Sequence, residues 1–298
     1  MLVTVLCLMA IWGRGATVSW DGGGGNNSWH TAANWSGNTV PGLNDDIVID
    51  VPGDITVVHS NGTTIVRSVQ CQEGFQLTGG TLTVTAGASI VNGALRLGAG
   101  TLIVRGAGAT FTGNGATTNE TANLTAELGG HLSLPGLQRV TRTVSSDWII
   151  TVRDTNSIID LPNLTQVSVI DHYQFTIRAS QGGRVNLPAL TQVNAIDARS
   201  DRAGSVIDLS GLQGALRRTI DGSSSLEVLD GGAILIPNVT ALEGVGLYIT
   251  GSGQIATAQL TAITGAELSL TATTNFFPNV TNIIGNHLTA DGGARLTL

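Results

Sequence analysis

Leu134 to Val140 read LPGLQRV, Leu161 to Val167 read LPNLTQV, and Leu187 to Val193 read LPALTQV. Looser copies follow as LSGLQGA from Leu209, IPNVTAL from Ile236, TAQLTAI from Thr257 and FPNVTNI from Phe277. The second position of each copy (Pro135, Pro162, Pro188, Ser210, Pro237, Ala258, Pro278) advances by 27, 26, 22, 27, 21 and 20 residues. A recurrence at about 24 residues is the spacing of a solenoid. A unit this small cannot close a core of its own and must stack on its neighbours.

The grammar around the phrase also repeats. A small-residue turn (Gly129-Gly130, Gly182-Gly183, Gly231-Gly232) precedes an alternating strand (131–134, 184–187, 233–236). Pro-x-Leu-Thr then turns a corner, and a second apolar strand follows at 148–152, 175–177 and 247–249. Period-two alternation bounded by Gly and Pro is a strand signal, and no 3.6-residue period is sustained. The expected fold is all-β: a right-handed parallel β-helix (β-solenoid), pectin-lyase-like, with Leu, Ile and Val stacked inward at about 4.8 Å per coil. The rival solenoid, the leucine-rich-repeat horseshoe, needs a helical segment after the corner. That segment is instead rich in Thr, Val, Ile and Ser, which favour strand.

Composition agrees. Charged residues are 12% of the chain, about half the usual share, and Gly is abundant, which suits stacked strands with tight turns and not a disordered chain. The net charge of −7 argues against sequence-blind binding to nucleic acid. All 14 basic residues are Arg, so a Schiff-base lysine and a P-loop lysine are excluded. Met1 to Trp12 form an apolar run too short to span a bilayer. With Gly13, Gly15 and Ala16 behind it, residues 1–16 read as a secretory signal peptide without a basic start. Its removal leaves Cys71 as the only cysteine, so no internal disulfide forms.

Residues 17–53 are of another kind. Trp20-Asp21-Gly22-Gly23-Gly24, Trp29, Asn34-Trp35, Pro41 and Asp45-Asp46 before Ile47-Val48-Ile49 occur in order. With these landmarks the segment resembles the module that opens large secreted bacterial β-helix repeat surface proteins, planctomycete-type and autotransporter-like. The resemblance spans about thirty residues. It implies an extracellular, repetitive, non-catalytic β-helix. Physically, three Trp within 16 residues suit a cap over the open end of a solenoid. The functional alternative makes Trp29 and Trp35, with His30, a sugar-stacking platform. The Gly run lacks a GxGxxG pattern and a following Lys, so it is no phosphate cradle. Asp21, Asp45, Asp46 and Asp50 offer at most a casual cation site.

Residues 54–298 form the β-helix proper. Strands are expected at 55–58, 64–69, 81–84, 94–97 and 101–104, and Gly113 to Asn123 reads as a polar surface loop or insertion. The chain stops at ADGGARLTL, one residue short of the next corner, and the expectation is a longer protein that continues beyond it.

For chemistry, the only adjacent acidic pair is Asp45-Asp46, whose side chains point to opposite sides of a strand. The other carboxylates show no recurring paired spacing. The five His lack metal-ligand spacing, and HExxH, CxxC and GxSxG are absent. No catalytic residue, metal or cofactor is therefore expected. Aligned on the corner, Arg153, Arg178 and Arg199 lie nine, ten and eleven residues before it and are expected to stack on consecutive coils. As a stripe they would grip an acidic polysaccharide, because guanidinium forks match carboxylate and sulfate. Arg178→Ala would then weaken that grip. As a solvated face they would pair locally with Asp154, Asp197 and Asp201. Eight Asn-x-Ser/Thr sequons occur, those at Asn163, Asn238 and Asn279 within the repeat itself, where Thr has a structural use in the corner. The functional expectation is a secreted or cell-surface rod, structural or adhesive, contacting cell-surface glycan, with no membrane span in this chain. The alternative is a polysaccharide lyase or glycoside hydrolase on the same fold.

Overall fold

The computed structural model of the chain describes residues 15–297. The segment 1–16 read as a signal peptide lies outside them, apart from Gly15 and Ala16. The described chain is a parallel β-solenoid of about eleven coils. Its one helical element is the short 3-10 turn Ala32–Asn34, which removes the horseshoe.

Each coil visits three sheets in turn. Ile158–Asp160 lies in the first sheet, Gln166–Ser168 in the second and Phe175–Ser180 in the third, and Arg184–Asn186 then returns to the first one coil higher. The first sheet has eleven strands from Ala16–Ser19 to Gln254–Ile255, and the third has eleven from Thr63–Val66 to His287–Asp291. The second has seven, from Thr56–His59 to Gln192–Val193, and resumes as three at Gly214–Arg217, Val239–Glu243 and Ala262–Thr264.

Reading the sequence as strand, corner, strand misses the second sheet, because its strands lie inside the repeated phrase. In LPxL the first Leu ends one strand and the fourth residue closes a β-turn on it. Leu164 N–H donates to Leu161 O at 3.3 Å, Leu190 to Leu187 at 3.1 Å and Leu212 to Leu209 at 3.0 Å. Proline sits at the second position of that turn, where its fixed φ is already suitable. Gln-Val-Ser or Gln-Val then pairs with the coil below. The polar stretch 113–123 is likewise no insertion. Thr117–Asn119 is a second-sheet strand in register with Leu95–Leu97. Thr64–Val69 is two strands, Thr63–Val66 and Ser68–Cys71, separated by a corner at Arg67.

The core is one column per inward position. Leu134, Leu161, Leu187, Leu209 and Ile236 are all fully buried, and their neighbours pair in register from coil to coil. Trp148 fills one coil and stacks on Phe175 of the next, with centroids 4.6 Å apart and planes at 14°. Its Nε1 donates to Ala122 O at 3.0 Å.

Polar ladders hold the corners. Asn163 Nδ2 donates to Pro135 O at 2.9 Å and Asn238 Nδ2 to Ser210 O at 2.9 Å, each bond joining one corner to the corner below. The Thr165 hydroxyl donates to Gln138 O at 3.0 Å and that of Thr191 to Thr165 O at 3.1 Å. Both sequon residues are thus explained by stacking. The Gly-Gly turns divide their work. Gly182 and Gly231 both adopt φ of 90°. At the glycine that follows, a Cβ on Gly232 would meet Ser200 O at 2.3 Å, so only a bare backbone fits against the coil below.

The Trp-rich segment is a long loop between the first two rungs of the first sheet, Ala16–Ser19 and Asp45–Ile49. It folds back over the second sheet, where Trp29 N–H donates to Val58 O at 2.9 Å. Beneath it His59 is fully buried. Its Nδ1 lies 3.1 Å from Gly79 O and its Nε2 2.9 Å from Thr64 Oγ1. A carbonyl only accepts, so Nδ1 carries the hydrogen, Nε2 accepts from the threonine hydroxyl, and the ring is neutral. Burial, opposed by the Gly79 carbonyl and aided by His30, pushes its pKa down to about 4. The unfolded chain protonates this imidazole near 6.5 while the folded one does not. Stability from His59 is therefore complete above pH 6.5 and falls by about 3 kcal/mol as pH drops from there to about 4. Denaturant unfolding of wild type and His59→Gln across that window should give a steeper loss for wild type. Parallel curves would refute the assignment.

Candidate functional site

The outward face of the third sheet holds the arginines singled out in the sequence, but not in one column. Arg178 pairs in register with Arg199, whereas the residue level with Arg178 on the coil below is Thr151, and Arg153 stands level with Ser180. The expected three-Arg stripe is corrected to two. Two offsets of one residue add: Arg153 lies nine residues before its corner and Arg178 ten before its own, and the turn after Arg153 has four residues (154–157) where that after Ser180 has three (181–183). Counting back from the corner therefore does not preserve register on this sheet.

The cations are also matched. Glu127, its side chain 3% exposed, lies between Arg105 and Arg153 and forms ion pairs with both. Arg178 Nη2 bonds Asp197, whose other oxygen accepts from the Ser225 hydroxyl at 2.9 Å. Arg199 Nη1 reaches both oxygens of Glu227, at 3.1 and 3.2 Å. Repulsion between neighbouring guanidinium groups is cancelled by carboxylates one coil away. The result is a coil-to-coil lattice of ion pairs and not a bare basic stripe.

Trp29 and Trp35 are corrected in the same way. Both are fully buried. Trp35 packs edge-on to Trp20 and Trp29, and its Nε1 donates to Trp29 O at 2.7 Å. No ring face is left for a sugar, so they serve the cap. The acidic residues near them are occupied by turns: Asp21 Oδ1 accepts Gly23 N–H, and Asp45 Oδ2 accepts Gly42 N–H. Among the described residues no three His, Cys, Asp or Glu side chains are grouped as a metal set. Cys71 is buried, and burial pushes its thiol up to about 12, which makes it unreactive.

A second polar patch lies on the outward face of the first sheet and escaped the sequence reading. His131 Nε2 donates to Asp160 Oδ2 at 2.6 Å, and Asn186 Nδ2 donates to Asp160 Oδ1. Ser133, Asp160, Asn186, Asp208 and Leu235 occupy one outward column, in register over five coils. Its signal was present: each stands two residues before the second position of the repeated phrase. The hydrogen bond to Asp160 outweighs burial and raises the His131 pKa. Burial alone would raise Asp160, but the hydrogen bonds of His131 and Asn186, with the charges of His131 and Arg184, hold it below the ordinary carboxylate range. The raised His contributes stability fully below about pH 6.5 and loses it as pH rises through its folded value. The depressed Asp contributes above about pH 4 and loses it on acidification. The pair is therefore strongest between those limits. The His131 ring protons should titrate above 6.5 in NMR, and Asp160→Asn should bring the midpoint down; an unchanged midpoint would count against the pair.

Beyond Asp208 the same face dips into a groove of about 550 Å³. Its lining includes Asp208, Ser210, Leu235, Pro237, Gln254 and Ile255. Leu235 is 41% exposed, an aliphatic residue in a column otherwise of Ser, Asp and Asn. No helix among the described residues is long and apolar enough to cross a membrane. Compared with known proteins, the chain matches no family model, no curated protein and no solved structure.

Proposed function

We propose that the chain is a non-catalytic, extracellular structural and adhesive rod of a bacterial cell surface that contacts glycans. The observation supporting this reading is the uninterrupted stacked core, with the outward arginines Arg153, Arg178 and Arg199 engaged with carboxylates of the neighbouring coil and not gathered around a reactive centre. Stacked repeats with a continuous core make a stiff spacer. The apolar run at Met1–Trp12 and the WDGGG segment support export. The test is antibody labelling of intact cells expressing the full reading frame, with protease shaving. Surface signal that shaving removes is expected, and confinement to the cytosol would refute the proposal.

One observation favours the enzymatic alternative. Asp160 and Asp208 share an outward column two rungs apart, about 10 Å at the usual strand spacing. That is close to the carboxylate separation of inverting glycosidases. Against it, Asp160 is committed to His131 and Asn186 and is shifted away from the range of an acid catalyst. Reducing-end assays on neutral and acidic polysaccharides, with Asp160→Asn as control, separate the two. Sustained release lost in that variant would install the enzyme reading.

A further inference from the structure

We propose that the first-sheet groove at Asp208, Ser210, Leu235, Pro237, Gln254 and Ile255 binds a neutral polysaccharide laid along the solenoid axis. The inference rests on the glycan-contacting reading above and replaces the acidic ligand with a neutral one.

Charge selects the ligand class. The arginines of the third sheet that could grip an acidic polymer are paired within that sheet. The groove contains one charged side chain, Asp208, and the chain is net negative. A uronate or sulfate would meet repulsion there, whereas a polyol would not.

The chemistry of the lining fits sugar. Ala233, Leu235 and Pro237 offer aliphatic surface to the C–H faces of pyranose rings, with Ile255, level with the inward Ile234, closing the groove from the core side. Asp208 Oδ1 accepts the Ser210 N–H at 2.9 Å, while Oδ2 takes no hydrogen bond among the described residues and is available to a hydroxyl. The Gln254 amide adds a donor and an acceptor on the next-but-one coil. An apolar concavity with a few polar groups at its margin is the usual form of a small-molecule or glycan subsite. The rise per coil, about 4.8 Å, is close to the length of one pyranose unit. A chain lying along the axis therefore advances about one sugar per coil across the three rungs that carry Asp208, Leu235 and Gln254.

The test is affinity electrophoresis of the full chain through gels containing hydroxyethyl cellulose, galactomannan or dextran, with polygalacturonate in parallel. Variants are Leu235→Asp, Asp208→Asn and Arg178→Ala, each checked for wild-type circular dichroism. Retardation by at least one neutral polymer is expected, weakened roughly tenfold by Leu235→Asp and by Asp208→Asn and untouched by Arg178→Ala. Neutral retardation that survives both groove variants overturns the site. Retardation by polygalacturonate alone overturns it too, but leaves the glycan reading standing. Retardation by no polymer overturns both.

Discussion

Leu187→Asp should unfold the centre of the solenoid. Leu187 is fully buried in the column of Leu161 and Leu209. Removing a buried leucine side chain costs about 2–5 kcal/mol. Leaving an unpaired carboxylate in its place adds several kcal/mol more. The total, on the order of 5 kcal/mol or above, rivals the whole stability of a typical domain. In a stacked array, however, each coil is held mainly by its two neighbours. The damage should therefore be graded along the axis. Hydrogen exchange should show lost protection from Asp160 to Asp208 and near-native protection around Val57 and Phe75. Leu235→Asp, one column outward on a nearby coil, is the control. Its side chain already faces solvent, so it should change stability by no more than about 0.5 kcal/mol. A wild-type unfolding midpoint for Leu187→Asp would mean that the inward columns are wrongly assigned.

How much of this was legible in the sequence depends on which sheet a residue occupies. The first-sheet strand sits directly before the Pro turn, at constant distance from it, so inward Leu187 and outward Asp160 and Asp208 fall into columns by counting. The third sheet is separated from the next corner by turns of three or four residues, and there counting placed Arg153 two positions out of register. Period-two alternation cannot show this, because a shift of two residues keeps a side chain on the same face. The second sheet was hidden for a different reason. Its strands are as short as Gln192–Val193 and share their residues with the turn motif, so no separate apolar run announces them. The cap was legible in composition alone, since clustered Trp at the end of a solenoid has little else to do. The pairing of Glu127 with two arginines was not. Its partners are 22 and 26 residues away, and only the coil register brings them together.

Trp35→Ala should open the first end of the rod. Trp35 is fully buried, and its ring lies 5.0 Å from Trp20 and 4.7 Å from Trp29, edge-on to both. Trp29 in turn meets Phe75 of the second sheet at 5.9 Å. Deleting a buried tryptophan costs about 3–5 kcal/mol, and the Trp29 carbonyl also loses the indole N–H that satisfies it. That exceeds what a loop anchored by few coils can absorb, so the segment from Trp20 to Asn44 should detach while the coils beyond Leu95 stay folded. Ile47, Val57 and Phe75 then face water beside the strand Thr56–His59, an edge able to pair with another chain. Exchange protection should vanish at Val58, whose N–H donates to Asn27 O, and light scattering should report association that rises with concentration. Trp35→Phe keeps most of the packing and loses the indole N–H, so its cost should be roughly 1–2 kcal/mol without association. The ordering of the two variants is the critical result. If Trp35→Ala remains monomeric with Val58 protected, the tryptophans do not close this end, and the buried cluster has a different purpose.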